Sequence, residues 1–226
     1  CSAAEDGVMA GRESILAAVR AGLGGGRREP AAIAAEAASL LASPELIRPH
    51  LPDASLVELF AERAAAPNLG TTLERVARLS ELPDAVQRYL ASHGLPATVA
   101  LQPAAELKAL DWQGIEAHTA IAPDEAVGVG LARWGIAETG SLVIHSGPDT
   151  PILLGFLPLH HIVAVRAGSI VAYLEDYAAM AERFGPAPRN VNLITGASGT
   201  TDIEGSYVRG AHGPGFLHVV LAEDEA

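Results

Sequence analysis

The stretch TLERVARLSELPDAVQRYLASHGLPATVAL, residues 72–101, reads as a strand near Thr72 to Val76, a helix from Leu82 to His93 and a strand near Thr98 to Leu101. Such alternation marks a parallel sheet covered by helices. Outward from this unit, candidate strands continue at Ile115 to Ala120, Ala126 to Leu131, Ser141 to His145, His161 to Val165, Val191 to Ile194 and Leu217 to Leu221. Between them, Tyr173 to Phe184 has helical spacing, with Leu174, Tyr177, Met180 and Phe184 on one face.

Upstream the chain reads as helical. Residues 13–23 place Ile15, Leu16, Val19 and Leu23 at helical spacing, and Gly24 to Gly26 stop the pattern. Pro30 opens an Ala-rich helix to Leu41, ended by Ser43 and Pro44. A third helix, Ser55 to Ala65, has Asp53 or Ser55 as cap and Leu56, Leu59 and Phe60 on one face. The expected division is an N-terminal helix with a Gly-rich link over 1–26 and one α/β domain over 27–226, a length that a single domain of this class reaches.

Hydrophobic residues supply 49% of the chain and charged residues 19%, the balance of a buried globular fold. The net charge of −12 repels phosphate backbones and anionic membranes, and aromatics at 4% leave few stacking platforms, so nucleic acid is not an expected partner. A small anion can still bind locally through backbone N–H groups. The single thiol, Cys1, allows neither an internal disulfide nor a cysteine-bound metal or cluster. No apolar run approaches the roughly eighteen residues of a membrane span, and no basic leader precedes a hydrophobic stretch. A cytoplasmic protein is expected.

Chemistry concentrates in three segments of small residues, hydroxyls and acids: GIAETGS (135–141), SGPDTP (146–151) and ITGASGTTDIEG (194–205). In the last, a β-branched run ends in Thr195-Gly196, after which backbone N–H groups and hydroxyls can converge on an anion. It is neither a Walker motif nor a full dinucleotide fingerprint. Read without a ligand, it is a capped turn. Glu138 stands among small residues before a strand, placed to act as base or nucleophile or to pair with an Arg such as Arg133. Asp202 and Glu204 share a face if the segment is extended and diverge if it is helical. His160 and His161 are adjacent, so on a strand their rings point to opposite faces and cannot chelate one metal. No metal-site spacing accompanies them, and a structural role is the expected one. His212, among glycines, is kept as a candidate. The candidate site therefore comprises Glu138, Thr139, Gly140, Ser146, Gly147, Thr195, Gly196, Ser198, Thr200, Asp202, Glu204 and His212.

Taken in order, AETGS (137–141), SGPDTP (146–151), LPLHHIVAV (157–165), ITGASGTTDIEG (194–205) and RGAHGPGFLHVVL (209–221) resemble the LUD domain of the lactate-utilisation protein C family. The likeness is strong from about Gly130 onward and loose in the N-terminal helices. It implies a three-layer α/β/α sandwich with a mainly parallel sheet, similar to the sugar-phosphate isomerase and CoA-transferase group. It also implies a role in bacterial oxidation of L-lactate to pyruvate beside two iron–sulfur partner proteins. Many relatives carry an Arg where this chain reads Ser198-Gly199-Thr200, so any anion pairing by that Arg is in doubt here.

Lactate oxidation needs a two-electron acceptor, yet this sequence offers no cysteine ligand set and no flavin or nicotinamide fingerprint. The expectation is an accessory subunit without a cofactor of its own, binding a small anionic ligand, with the clusters on its partners. Two alternatives stand beside it. One is a CoA-transferase-like enzyme in which Glu138 attacks an acyl-CoA and forms an anhydride; the other is a small-molecule sensor.

Overall fold

The computed structural model describes residues 2–23, 28–43, 45, 48–181, 183, 188–201 and 205–224. The chain divides into two compact units, Cys1–Arg48 and Pro49–Ala226. The helix that Pro30 opens lies in the first unit, and the Gly24 to Gly26 link lies outside the described residues. That unit holds α1 (Ser2–Gly22), which starts well before the expected residue 13, and α2 (Pro30–Leu41). Ile15, Val19, Ile33 and Leu40 are exposed on them.

The second unit runs α3 (Leu56–Ala64), β1 (Thr71–Val76), α4 (Leu82–His93), β2 (Thr98–Leu101), α5 (Ala105–Lys108), β3 (Glu116–His118), β4 (Val127–Leu131), β5 (Trp134–Ile136) and β6 (Ser141–His145). It continues with β7 (His160–Arg166), β8 (Ile170–Val171), α6 (Leu174–Ala181), β9 (Val191–Ile194), β10 (Gly199–Thr201), β11 (Tyr207–Arg209) and β12 (Phe216–Ala222). Six strands form one sheet in the order β1-β12-β7-β4-β2-β3, every neighbouring pair parallel. This is the α/β architecture expected from the strand and helix alternation.

Successive side chains on these strands face opposite ways, and both faces are buried, as parallel sheets require. One face presents Val99, Leu101, Val127, Val129, Ile162, Ala164 and Val220 to the apolar stripe of α4, Leu82, Val86 and Leu90 among it. The other face presents Val163, Val165, Leu217, Val219 and Leu221 to Leu59, Phe60 and Ala64 of α3 and to Leu142 and Ile144 of β6. The cap of α3 is Ser55, whose hydroxyl accepts from the Glu58 amide at 3.2 Å.

The covering layer on that second face differs from the expectation in one respect. The stretches Ser141–His145 and Val191–Ile194 do not join the parallel sheet. They belong to a second sheet, β8-β5-β6-β9, in which β6 is antiparallel to both β5 and β9. Its far side packs Trp134, Val143 and Val171 on Tyr177 and Met180 of α6, a helix that ends at Ala181, with Phe184 outside the described residues. The turn from β5 to β6 touches α3 so closely that a Cβ at Gly140, which sits at φ +70°, would overlap the backbone of Arg63 and Ala64.

Candidate functional site

Between the two sheets of the second unit lies a cavity of about 430 Å³. Its floor is built from inward positions of adjacent parallel strands: Gln102 directly after β2, Gly130 of β4, His161 of β7 and Leu217 of β12. Glycine on β4 makes the room. A Cβ at Gly128 would meet Pro158 at 2.7 Å and Leu154 at 3.1 Å, so its absence lets the 152–158 segment settle against the sheet. A Cβ at Gly130 would fall 3.2 Å from Gln102 Oε1 and 3.5 Å from His161 Nε2.

Gln102 is buried and fixed at both ends of its amide, donating to Thr150 Oγ1 at 3.1 Å and accepting from the Leu131 amide at 2.8 Å. His161 is 1% exposed, and its Nδ1 has no hydrogen-bond partner among the described residues. Burial pushes its pKa down to about 4, so the ring is neutral at physiological pH.

The roof comes from β6, β9, the segment after Thr150, the loop 195–199 and residues 212–214. The loop is held from outside. Thr195 Oγ1 meets Ser141 Oγ at 2.5 Å, and Ser141 Oγ meets Thr139 Oγ1 at 2.6 Å. The amide of Ala197 donates to Leu69 O at 2.9 Å, and that of Ser198 to Pro214 O at 2.8 Å. Gly196, at φ +88°, passes so near Leu69 that a Cβ would stand 2.8 Å from the Leu69 carbonyl oxygen. Arg209 braces the neighbouring turn through the carbonyls of Gly70 and Gly215 and lies over the Phe216 ring at 4.7 Å.

Of the residues singled out in the sequence, Thr195, Gly196, Ser198 and His212 line this cavity together. The loop follows β9, which pairs antiparallel with β6, and the cavity lies over one face of the parallel sheet. The amides of Ala197 and Ser198 are already engaged, and no Asp, Glu, Lys or Arg lines the cavity among the described residues, so a bound anion would find no permanent counter-charge there.

Ser146 and Gly147 line an adjoining cavity of about 470 Å³ that shares Gln102 and Thr150 and includes His145, Arg133 and Arg166. Paired bonds between Gly147 and Thr150, at 3.2 and 3.1 Å, fold this segment back on itself, and Ser146 Oγ accepts from the Asn190 amide at 2.9 Å. Thr139 and Gly140 stand behind the loop, in the hydroxyl chain and against α3. Thr200 pairs with Val208 in a two-stranded ribbon of β10 and β11. Asp202 and Glu204 lie outside the described residues. Glu138 lines neither cavity; its amide donates to Ala172 O at 2.9 Å, and its carbonyl accepts from Arg63 at 3.0 Å.

The rings of His160 and His161 do point to opposite faces. His160 Nδ1 meets the Tyr89 hydroxyl at 3.0 Å and its ring stacks on Phe216 at 4.3 Å, while His218 Nδ1 meets Thr72 Oγ1 at 2.7 Å. No group of three or more His, Cys, Asp or Glu side chains is arranged to hold a metal among the described residues. The sequence reading missed His161 and Gln102 as site residues. The available signal was Val127-Gly128-Val129-Gly130, whose glycines share one face and leave space above it.

Residues 68–222 match the LUD domain. The chain is 32% identical over 120 residues to lactate utilization protein C of Geobacillus kaustophilus, covering 51% of this chain and 48% of that protein. Lactate utilization protein C of Anoxybacillus flavithermus is 30% identical over 149 residues, covering 60% and 67%, and YkgG of Escherichia coli K12 is 30% identical over 125 residues, covering 53% and 54%. The chain thus spans about half the length of the first of these relatives. Among solved structures, a DUF162 family protein from Deinococcus radiodurans has the same fold, with a TM-score of 0.54 at 21% identity over 76% of this chain and 99% of that one.

Proposed function

The chain belongs to the LUD domain family, and from that premise we propose that it serves bacterial L-lactate utilisation as a component that carries no redox group of its own and holds a small molecule in the cavity between its sheets. Oxidation of lactate to pyruvate releases two electrons and two protons. With one cysteine in the whole sequence, no cysteine-bound cluster can be built from this chain, and the electrons pass to iron–sulfur partner proteins in the cytoplasm. The names of the relatives favour the lactate assignment.

The observation that carries the small-molecule reading is convergence. Gln102, His161, the Thr195 loop and His212 are far apart in the sequence, yet all meet around one cavity. Within it, His161 of β7 and Gln102 directly after β2 supply fixed polar groups, and the loop closes the opposite side. The test is purification of the tagged protein from cells grown on L-lactate. The expected result is a brown preparation in which iron and acid-labile sulfide travel with companion proteins. A colourless, solitary chain would count against the proposed partnership.

A further inference from the structure

The cavity floor holds two side-chain atoms with hydrogen-bonding capacity to spare. Nε2 of His161 and Oε1 of Gln102 both border the space that a Cβ of Gly130 would fill. Nδ1 of His161 is sealed from solvent without a partner among the described residues. An orphaned buried N–H is rarer than an orphaned acceptor, so the single proton of the neutral ring belongs on Nε2, the edge next to Gly130 and Gln102. Gln102 Oε1 already accepts from Leu131 and retains a second lone pair. The floor therefore offers one donor and one acceptor, 3.5 and 3.2 Å from the position a Gly130 Cβ would take.

The surroundings decide what these groups can meet. Ile144, Leu154, Ile194 and Leu217 supply aliphatic walls, and exposed Phe156 and Leu193 add apolar surface at the rim. No side chain of fixed charge lines the space among the described residues. A carboxylate or phosphate entering it would give up its hydration without an ion pair in return, whereas an uncharged molecule loses little. The volume of about 430 Å³ lies within the range of about 300–1,000 Å³ typical of small-molecule pockets.

We infer that this cavity takes an uncharged, mainly apolar organic ligand whose carbonyl oxygen accepts a hydrogen bond from His161 Nε2, with Gln102 Oε1 beside it to receive a neighbouring hydroxyl or N–H. The inference rests on reading the cavity as a small-molecule site. It replaces the small anion that the loop sequence suggested.

Two probes of nearly the same shape isolate the charge: 2-acetylnaphthalene, a neutral methyl ketone, and 2-naphthoate, its carboxylate counterpart. Both are titrated into the full chain by calorimetry and by amide chemical-shift mapping. The ketone is expected to bind at least about tenfold more tightly than the carboxylate, a difference of about 1.4 kcal/mol, and to shift the amides of Gly130, Gly196 and Leu217. His161→Phe, which keeps an aromatic ring but removes the donor, is expected to weaken the ketone about tenfold and leave the carboxylate unchanged. Should that variant not fold, the comparison of the two probes on the unaltered protein still decides. Equal or tighter binding of 2-naphthoate, shifts confined to residues away from the cavity, or no binding of either probe overturns the inference. Each of these results is independent of whether iron–sulfur proteins co-purify, so the ligand class and the lactate role fail separately.

Discussion

The hydroxyls of Ser141 and Thr195 meet at 2.5 Å, joining the first residue of β6 to the residue that follows β9 and so fastening the cavity loop to the second sheet. Ser141 is 4% exposed and also meets Thr139, so its oxygen is the centre of a three-hydroxyl chain. Ser141→Ala is expected to cost about 1–2 kcal/mol, the usual consequence of deleting a shared buried hydrogen bond. Urea denaturation measures the loss, and faster amide exchange at Ala197 and Ser198 should accompany it.

Gly140 is the contact through which the β5–β6 turn meets α3. With φ at +70° and the backbone of Arg63 and Ala64 where a Cβ would go, Gly140→Ala combines backbone strain with a steric overlap. A destabilisation of about 2–4 kcal/mol is expected in thermal or urea melts. A change within about 0.5 kcal/mol, the range of a neutral surface substitution, would mean that this turn is not docked on α3 as described.

His161 and His218 predict a pH dependence with a definite sign. Burial holds both folded-state pKa values at about 4, below the ordinary 6.5. Between those values the unfolded chain takes up protons that the folded protein refuses, so stability is full above pH 6.5 and is lost as pH falls toward 4. The loss should be on the order of a few kcal/mol in total, read from urea midpoints at pH 7.5 and pH 5. An unchanged midpoint would contradict the buried, neutral state of these rings.

Much of this architecture is written locally. The helix Leu82–His93 and the strands Thr98–Leu101, Ser141–His145 and Val191–Ile194 match the structure at both ends, because each is bounded by a change of hydrophobic period or by turn residues. Which sheet a strand joins is not local information. Ser141 to Ile144 are all buried, so no alternation separates a strand of the parallel sheet from one packed over it. Trp134–Ile136 and Ile170–Val171 are too short to carry a period at all. In the site, the Thr195 loop and His212 were legible because glycines and hydroxyls mark them. Gln102 and His161 acquire their places only when β2, β4 and β7 align, and a glutamine or histidine near a strand end gives no such notice alone.

Glu138 separates the accessory role from CoA-transferase-like chemistry. Because Glu138 lines neither cavity, Glu138→Gln is expected to melt normally and to support normal growth on L-lactate. The unaltered protein should show no exchange of CoA between acyl donors and acids. Loss of growth with an unchanged melt, joined to thioester exchange by the unaltered protein, would instead make Glu138 a nucleophile.

Participation in L-lactate oxidation is tested by deleting this protein from a bacterium that encodes it. With L-lactate as the sole carbon source, the deletion strain should fail to grow. The same strain should grow normally on pyruvate, the product beyond the missing step, and a plasmid copy should restore growth on L-lactate. Undiminished growth of the deletion strain on L-lactate, with no separate lactate dehydrogenase induced, would contradict that role.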